Sequence, residues 1–175
     1  GESVVAVSWF CGYWGYGSRC VGTTAMVSKY EYRDAGRTEE NMSTVYVMPE
    51  DNMSMGHFQV PGSVQRMEPT TANGVIIVSG DWSYRAPQLT VSSVALNEAR
   101  VVDARLIENT SQGEWRSHGF FFKPDANGGG TFGLPVINQD EEYYWWRSDI
   151  RFMGLDTEAR LSDAGLVEST PLSEG

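Results

Sequence analysis

The sequence predicts an all-β protein, an antiparallel two-sheet sandwich of the jelly-roll kind, on three observations. Apolar and polar residues alternate with a period of two along several runs, which puts them on opposite faces of a strand. Nineteen glycines and seven prolines punctuate those runs at short intervals. No amphipathic stretch of a dozen residues at helical spacing interrupts the pattern. The 175 residues suit one domain with a substantial core. Residues 1–155 carry the strand pattern as the jelly-roll sandwich, and residues 156–175, acidic, small and polar, read as a C-terminal arm or tail.

In chain order, residues 4–10 (VVAVSWF) read as a first strand, rich in β-branched and aromatic side chains. Residues 11–20 (CGYWGYGSRC) hold both cysteines. A fully extended chain would set Cys11 and Cys20 about 30 Å apart, against the about 5–6 Å between Cα atoms in a disulfide, so a bridge requires Gly12, Gly15 and Gly17 to turn the chain back. Two cysteines make no disulfide framework, and the expectation is two free thiols in a reducing compartment, with the bridge as the alternative. Residues 21–32 form the next strand, 33–41 a charged loop, and 43–48 a short strand stopped by Pro49. Residues 57–60 and 74–79 are further strands; the second, GVIIVS, is the most apolar short run and is entered through the turn at Asn73-Gly74.

Residues 86–106 hold the central pair. After Pro87, Leu89, Val91, Ser93 and Ala95 share one face; Asn97-Glu98 makes a polar corner; Ala99, Val101, Asp103 and Arg105 then alternate with Arg100, Val102, Ala104 and Leu106. Residues 109–113 are a turn, 114–123 (EWRSHGFFFK) a strand with a bulge at Gly119, and 124–133 (PDANGGGTFG) a Gly-rich surface loop. Residues 141–153 (EEYYWWRSDIRFM) are the last strand. The total of about eight or nine strands is that of a jelly roll or a related sandwich. Its core is expected to hold Ile76, Leu89, Val91, Val101 or Val102, Phe121 and Phe152.

Residues suited to chemistry are sparse. His57 and His118 are the two side chains that could serve as bases near neutral pH, and the sequence has no nucleophile elbow, phosphate loop, His-Glu-x-x-His or cysteine pair at metal spacing. Met53 and Met55 near His57 are neutral thioethers without the rest of a ligand set. Asp125, Asn127 and Gly128 lack the closing acidic residue of a calcium loop. The carboxylates of Glu39-Glu40 and Glu141-Glu142 are neighbours in sequence and do not face one another across a substrate. The expectation is a protein with no catalytic residue, no metal and no cofactor.

Charge and hydropathy exclude further classes. The net charge is −10, with two lysines beside eleven arginines, so no basic stripe tracks a phosphate backbone and no direct grip on nucleic acid is expected. No apolar run reaches the roughly 20 residues of a spanning helix, so no membrane partner is expected, and nothing after Gly1 has the order of a signal peptide. The aromatic residues remain. Tyr13, Trp14, Tyr16, Phe120, Phe122, Tyr144, Trp145 and Trp146 are the candidates for a subunit interface, because large aromatics with few charges are what interface centres concentrate.

Four short segments add a likeness. The chain starts Gly1-Glu2-Ser3-Val4; Ser8-Trp9-Phe10 leads to Gly15-Tyr16-Gly17-Ser18-Arg19; Ala86-Pro87-Gln88-Leu89-Thr90-Val91 is followed at a distance by Arg100; and Tyr143-Tyr144 precedes Ser148-Asp149-Ile150-Arg151-Phe152. In order and spacing these resemble segments of the capsid proteins of picorna-like viruses, the dicistrovirus, iflavirus and marnavirus group. Val94-Ala95-Leu96-Asn97 stands where the family has Pro-Tyr-Tyr-Ser, and Asp149 alone stands for its Asp-Asp-Phe, so no role in maturation cleavage is carried over. The resemblance implies a jelly-roll coat subunit, assembled in the host cytoplasm with other capsid subunits into an icosahedral shell around an RNA genome, and in contact with a host receptor or glycan. The alternative is a secreted carbohydrate-binding β-sandwich. Six tryptophans and eight tyrosines, with Asn-x-Ser/Thr sequons at Asn41, Asn52 and Asn109, point that way.

Overall fold

Strands make up nearly all of the structure, a computed structural model that describes residues 17–31, 41–49, 56–71, 73–81, 87–114, 119–139 and 146–169. In sheet A, β1 (Ser18–Val21), β2 (Thr24–Glu31), β3 (Met42–Pro49) and β4 (Gly56–Pro61) pair in that order. Sheet B follows with β5 (Ser63–Thr71), β6 (Gly74–Asp81), β7 (Gln88–Ala95) and β8 (Arg100–Glu108). Sheet C takes β9 (Thr110–Gln112), β10 (Phe121–Pro124), β11 (Gly130–Gln139), β12 (Trp146–Leu155) and β13 (Leu161–Val167); β10 and β9 pair with successive halves of β11, and β12 and β13 follow on its other side.

The antiparallel all-β sandwich expected from the sequence is what the structure shows, in a different layout. Among the described residues there are three sheets, each built from its own stretch of chain: A and B are meanders of consecutive strands, and C is a meander of β10 to β13 with β9 added beside β11, whereas a jelly roll interleaves strands distant in sequence. The cause lies in two corners. β4 runs into β5 through Gly62 alone, and β8 into β9 through Asn109 alone, with φ of 70° and 53°. One left-handed residue redirects the chain from one sheet into the next, so no crossing connection is needed. A Cβ on Gly62 would lie 2.5 Å from the carbonyl carbon and oxygen of Gly80, which leaves room only for glycine; Asn109 is the other residue type that visits this region readily. Backbone hydrogen bonds hold both corners, from Gly62 N–H to Asn41 O (2.7 Å) and from Gln139 N–H to Asn109 O (2.8 Å).

Sheet B is the middle layer. β5 lies across β1, β2 and β3 while β4 lies across β6, β7 and β8, the contact pattern of orthogonal packing. On β6, Val75 and Ile77 face sheet A and join Met26, Val45, Val47, Phe58 and Val60. Ile76 and Val78 face sheet C and join Leu89, Val91, Phe132, Leu134 and Val136. Burial on both faces explains why the GVIIVS run has no polar alternation.

Ile76, Leu89 and Val91 are buried as expected, and Val101 packs at the margin of the A–B core. Phe121 and Phe152 are not in the core. β10 runs in the opposite phase, with Phe120 and Phe122 turned toward the B–C core and Phe121 half exposed on the far side; three consecutive phenylalanines offer no polar residue to set the phase. β5 is hard to see in the sequence because polar residues are buried beside its core-facing Val64 and Met67: Arg66 Nη1 donates to Glu68 Oε1 (2.8 Å) and Arg66 Nη2 to Glu114 O (2.8 Å). β11 begins inside the expected Gly-rich loop. Leu161–Val167, read as part of an acidic arm, is the edge strand of sheet C.

Cys20 is disulfide-bonded, which corrects the expectation of free thiols; the other cysteine in the sequence, Cys11, lies outside the described residues. Ser28 N–H donates to Gly17 O (2.7 Å), which extends the β1–β2 ladder by one pair beyond Ser18 and Val27 and holds the strand that carries Cys20. The expected strand at residues 4–10 also lies outside the described residues.

Candidate functional site

Alternation along sheet C sends one set of side chains into the core and the other outward, and the outward set is the candidate site. Directly opposed residues of antiparallel strands share a face, so the registers define rows across the sheet. One row is Phe121, Gly133, Phe152 and Gly165; the next is Pro135, Ile150 and Val167. Beyond them lie Ser111, Ile137 and Ser148, then Gln139 and Trp146. At the opposite end Lys123, Thr131, Gly154 and Ser162 make a small, polar row. Phe121, Trp146, Ile150 and Val167 are 50, 53, 40 and 57 % exposed, values that belong to unpartnered apolar side chains and not to core residues.

Local sequence shapes this face. The ring of Phe121 lies over Gly133: a Cβ there would stand 2.3 Å from Phe121 Cε1, so the glycine makes the seat for the ring. Phe152 meets Phe121 edge-on with centroids 5.9 Å apart, the arrangement that aromatic quadrupoles favour. Pro135, in a central strand, falls where β11 passes from pairing with β10 to pairing with β9, and its carbonyl accepts from Gly113 N–H (3.0 Å). A residue without an N–H is tolerated at such a break.

The acidic groups of the sheet lie on its other side. Asp149 is buried on the inner face, where its carboxylate accepts from Arg147 Nε (2.8 Å), Asn138 Nδ2 and the Ser169 N–H (2.9 Å). Burial raises its pKa, and the hydrogen bonds from Ser169, Arg147 and Asn138 outweigh that, so the net shift is downward. Arg151 donates to Asp163 (2.8 Å) and holds that carboxyl low as well. Arg147 reaches on to Glu168 (3.2 Å). The rows of the outer face contain no aspartate or glutamate among the described residues, and Lys123 is their single charged group.

Of the interface candidates read from the sequence, Trp146 sits on this face. Phe120 stacks on Phe132 with centroids 5.5 Å apart, and Phe122 packs against the same core, so both are partly buried. Tyr13, Trp14, Tyr16, Tyr144 and Trp145 lie outside the described residues. Phe121, Ile150, Phe152 and Val167 join the face without having been named for it; the alternation of β12 sets Arg147, Asp149 and Arg151 opposite Ile150 and Phe152, a pattern that points the apolar pair inward and gives no sign of their outward placement. The loop containing Asp125 is a hairpin turn in which the Asp125 carboxylate accepts from Asn127 N–H (2.8 Å) and Gly129 N–H (3.0 Å). Among the described residues no group of three or more His, Cys, Asp and Glu is placed to hold a metal ion, and no helix is long and apolar enough to cross a membrane.

What such a surface can do is exclude water against a matching apolar surface. Comparison with protein-family models, with curated proteins and with solved structures finds no match for the chain.

Proposed function

We propose that this chain is a non-catalytic structural subunit, a coat protein of the kind its sequence resembles, and that it assembles with other protein subunits through the outer face of sheet C. The observation that carries the reading is the half-exposed cluster of Phe121, Trp146, Ile150 and Val167 on a face with no acidic group among the described residues. Contiguous apolar surface of this kind marks interaction sites. Its aliphatic members Ile150 and Val167, with Pro135 and Ile137 beside them, match the centre of a protein interface better than a sugar platform, which needs hydrogen-bonding groups beside its rings. The coat assignment rests on the sequence segments and this face, and not on strand order. It implies assembly in the host cytoplasm, with the RNA genome held by other subunits. Replacing Ile150 by Asp should abolish incorporation into particles while leaving the far-UV circular dichroism of the isolated chain unchanged; full incorporation would overturn the reading.

One observation favours a second reading, a secreted carbohydrate-binding module. Cys20 is disulfide-bonded, and stable disulfides belong to oxidising compartments. A chain that stays monomeric and binds a glycan array, with binding lost on Trp146→Ala, would establish this reading in place of the first.

A further inference from the structure

The outer face of sheet C also carries features that identify its occupant. We propose that it is a second copy of this chain, packed sheet C against sheet C across a two-fold axis. The inference rests on the assembly reading above and names the partner.

Layer order gives the first argument. Each interior sheet face meets the apolar face of a neighbouring sheet, A on B and B on C. Sheet C alone turns half-exposed Phe121, Trp146, Ile150 and Val167 outward as a group among the described residues. Two copies joined at this face would close both stacks at once, as an isologous contact does.

Charge gives the second. The chain carries 23 acidic residues against 13 basic ones, so two copies repel one another over most approaches. The rows of this face are free of carboxylates among the described residues, and the carboxylates of Asp149 and Asp163 are held by arginines on the opposite side of the sheet. A like-charged copy therefore meets the least repulsion here.

Shape and area give the third. A two-fold contact needs projections and hollows on the same patch. Ile150, 40 % exposed, projects, while beside Phe152 the position of Gly165 is open, with nothing within 4 Å of where its Cβ would stand. β11 and β12 run ten residues each, β13 seven, and β10 with β9 cover seven between them, so at about 3.3 Å per residue and 4.8 Å per strand the face projects roughly 540 Å² per copy. Two copies reach about 1,100 Å², just above the roughly 1,000 Å² that a biological interface should clear.

Sedimentation velocity of the full chain over a range of concentrations tests this. The expected result is a two-chain species whose dissociation constant weakens by roughly thirtyfold or more in Ile150→Asp and in Phe121→Ser, the loss expected for a central apolar anchor. His57→Asp, on the exposed edge of sheet A, should leave the dimer intact. Circular dichroism and thermal melting identify any variant that fails to fold, and either face variant suffices if the other does. A one-chain species at every concentration, or a dimer indifferent to a folded face variant, overturns the inference. If the chain is monomeric but the same variants block its incorporation into particles with other chains, the occupant is a different subunit and the assembly reading stands. If they alter neither, both readings fall.

Discussion

Asp149 is the residue that ties the end of the chain to the sheet, because its carboxylate accepts from the Ser169 N–H while Arg147 bridges it to Glu168. Its folded pKa lies below the ordinary value of 3.8. The stability it contributes is therefore complete above that ordinary value and is lost as pH falls through the lower folded value. Urea unfolding followed from neutral pH to about pH 2 should show a steep acid loss in the wild type and a shallower one in Asp149→Asn. At neutral pH the variant should be the less stable protein, since an amide would oppose the N–H groups of Arg147, Asn138 and Ser169. Phe132 is a simpler case: it is fully buried, and Phe132→Ala should cost about 3–5 kcal/mol in equilibrium unfolding. At the corners the backbone decides. Gly62→Ala meets both a positive φ and the carbonyl of Gly80, so it should destabilise by more than about 1 kcal/mol, whereas Asn109→Gly should be nearly neutral.

At the scale of elements, β10 and β11 are locked by a ring seated on a glycine. Gly133→Ala should destabilise by about 1–3 kcal/mol through overpacking, and most of that cost should vanish in a Phe121→Ala background, where the ring is gone. A double-mutant cycle by thermal or urea unfolding measures the coupling; additive effects would refute the seat. The same pair shows where the sequence stopped being legible. β2, β3, β6, β7 and β8 could be read from alternation or from continuous apolar runs, because burial of one or both faces leaves that imprint. β11 could not, since Gly130, Gly133 and Pro135 look like breakers until the ring over Gly133 and the change of partner at Pro135 are known. β5 hid its burial behind Arg66 and Glu68, which neutralise each other inside. β13 looked like an acidic tail because six of its seven residues are exposed. Of the site, Trp146 was legible as an exposed aromatic, whereas Phe121 and Phe152 were assigned to the wrong side because a strand slipped by one residue exchanges its faces.

For the whole molecule, the order of layers sets the order of local stability. β6 and β7 lie in the middle sheet, covered on both faces, so their amides should exchange with solvent most slowly, and those of β13 and β1 among the fastest. Uniform protection across the three sheets would contradict a central layer. The one-residue corners at Gly62 and Asn109 have a consequence for how the molecule forms. Because each sheet occupies an unbroken stretch of chain, its strand pairs close short loops and require no distant segment to wait for another. A chain leaving the ribosome can complete sheet A before sheet B exists and sheet B before sheet C, and refolding should accordingly be faster than in a Greek-key sandwich of equal length. The cost of that order falls on sheet B. Until β11 and β12 arrive, Ile76, Val78, Leu89 and Val91 stand in water, and in that interval the nascent protein is most open to aggregation.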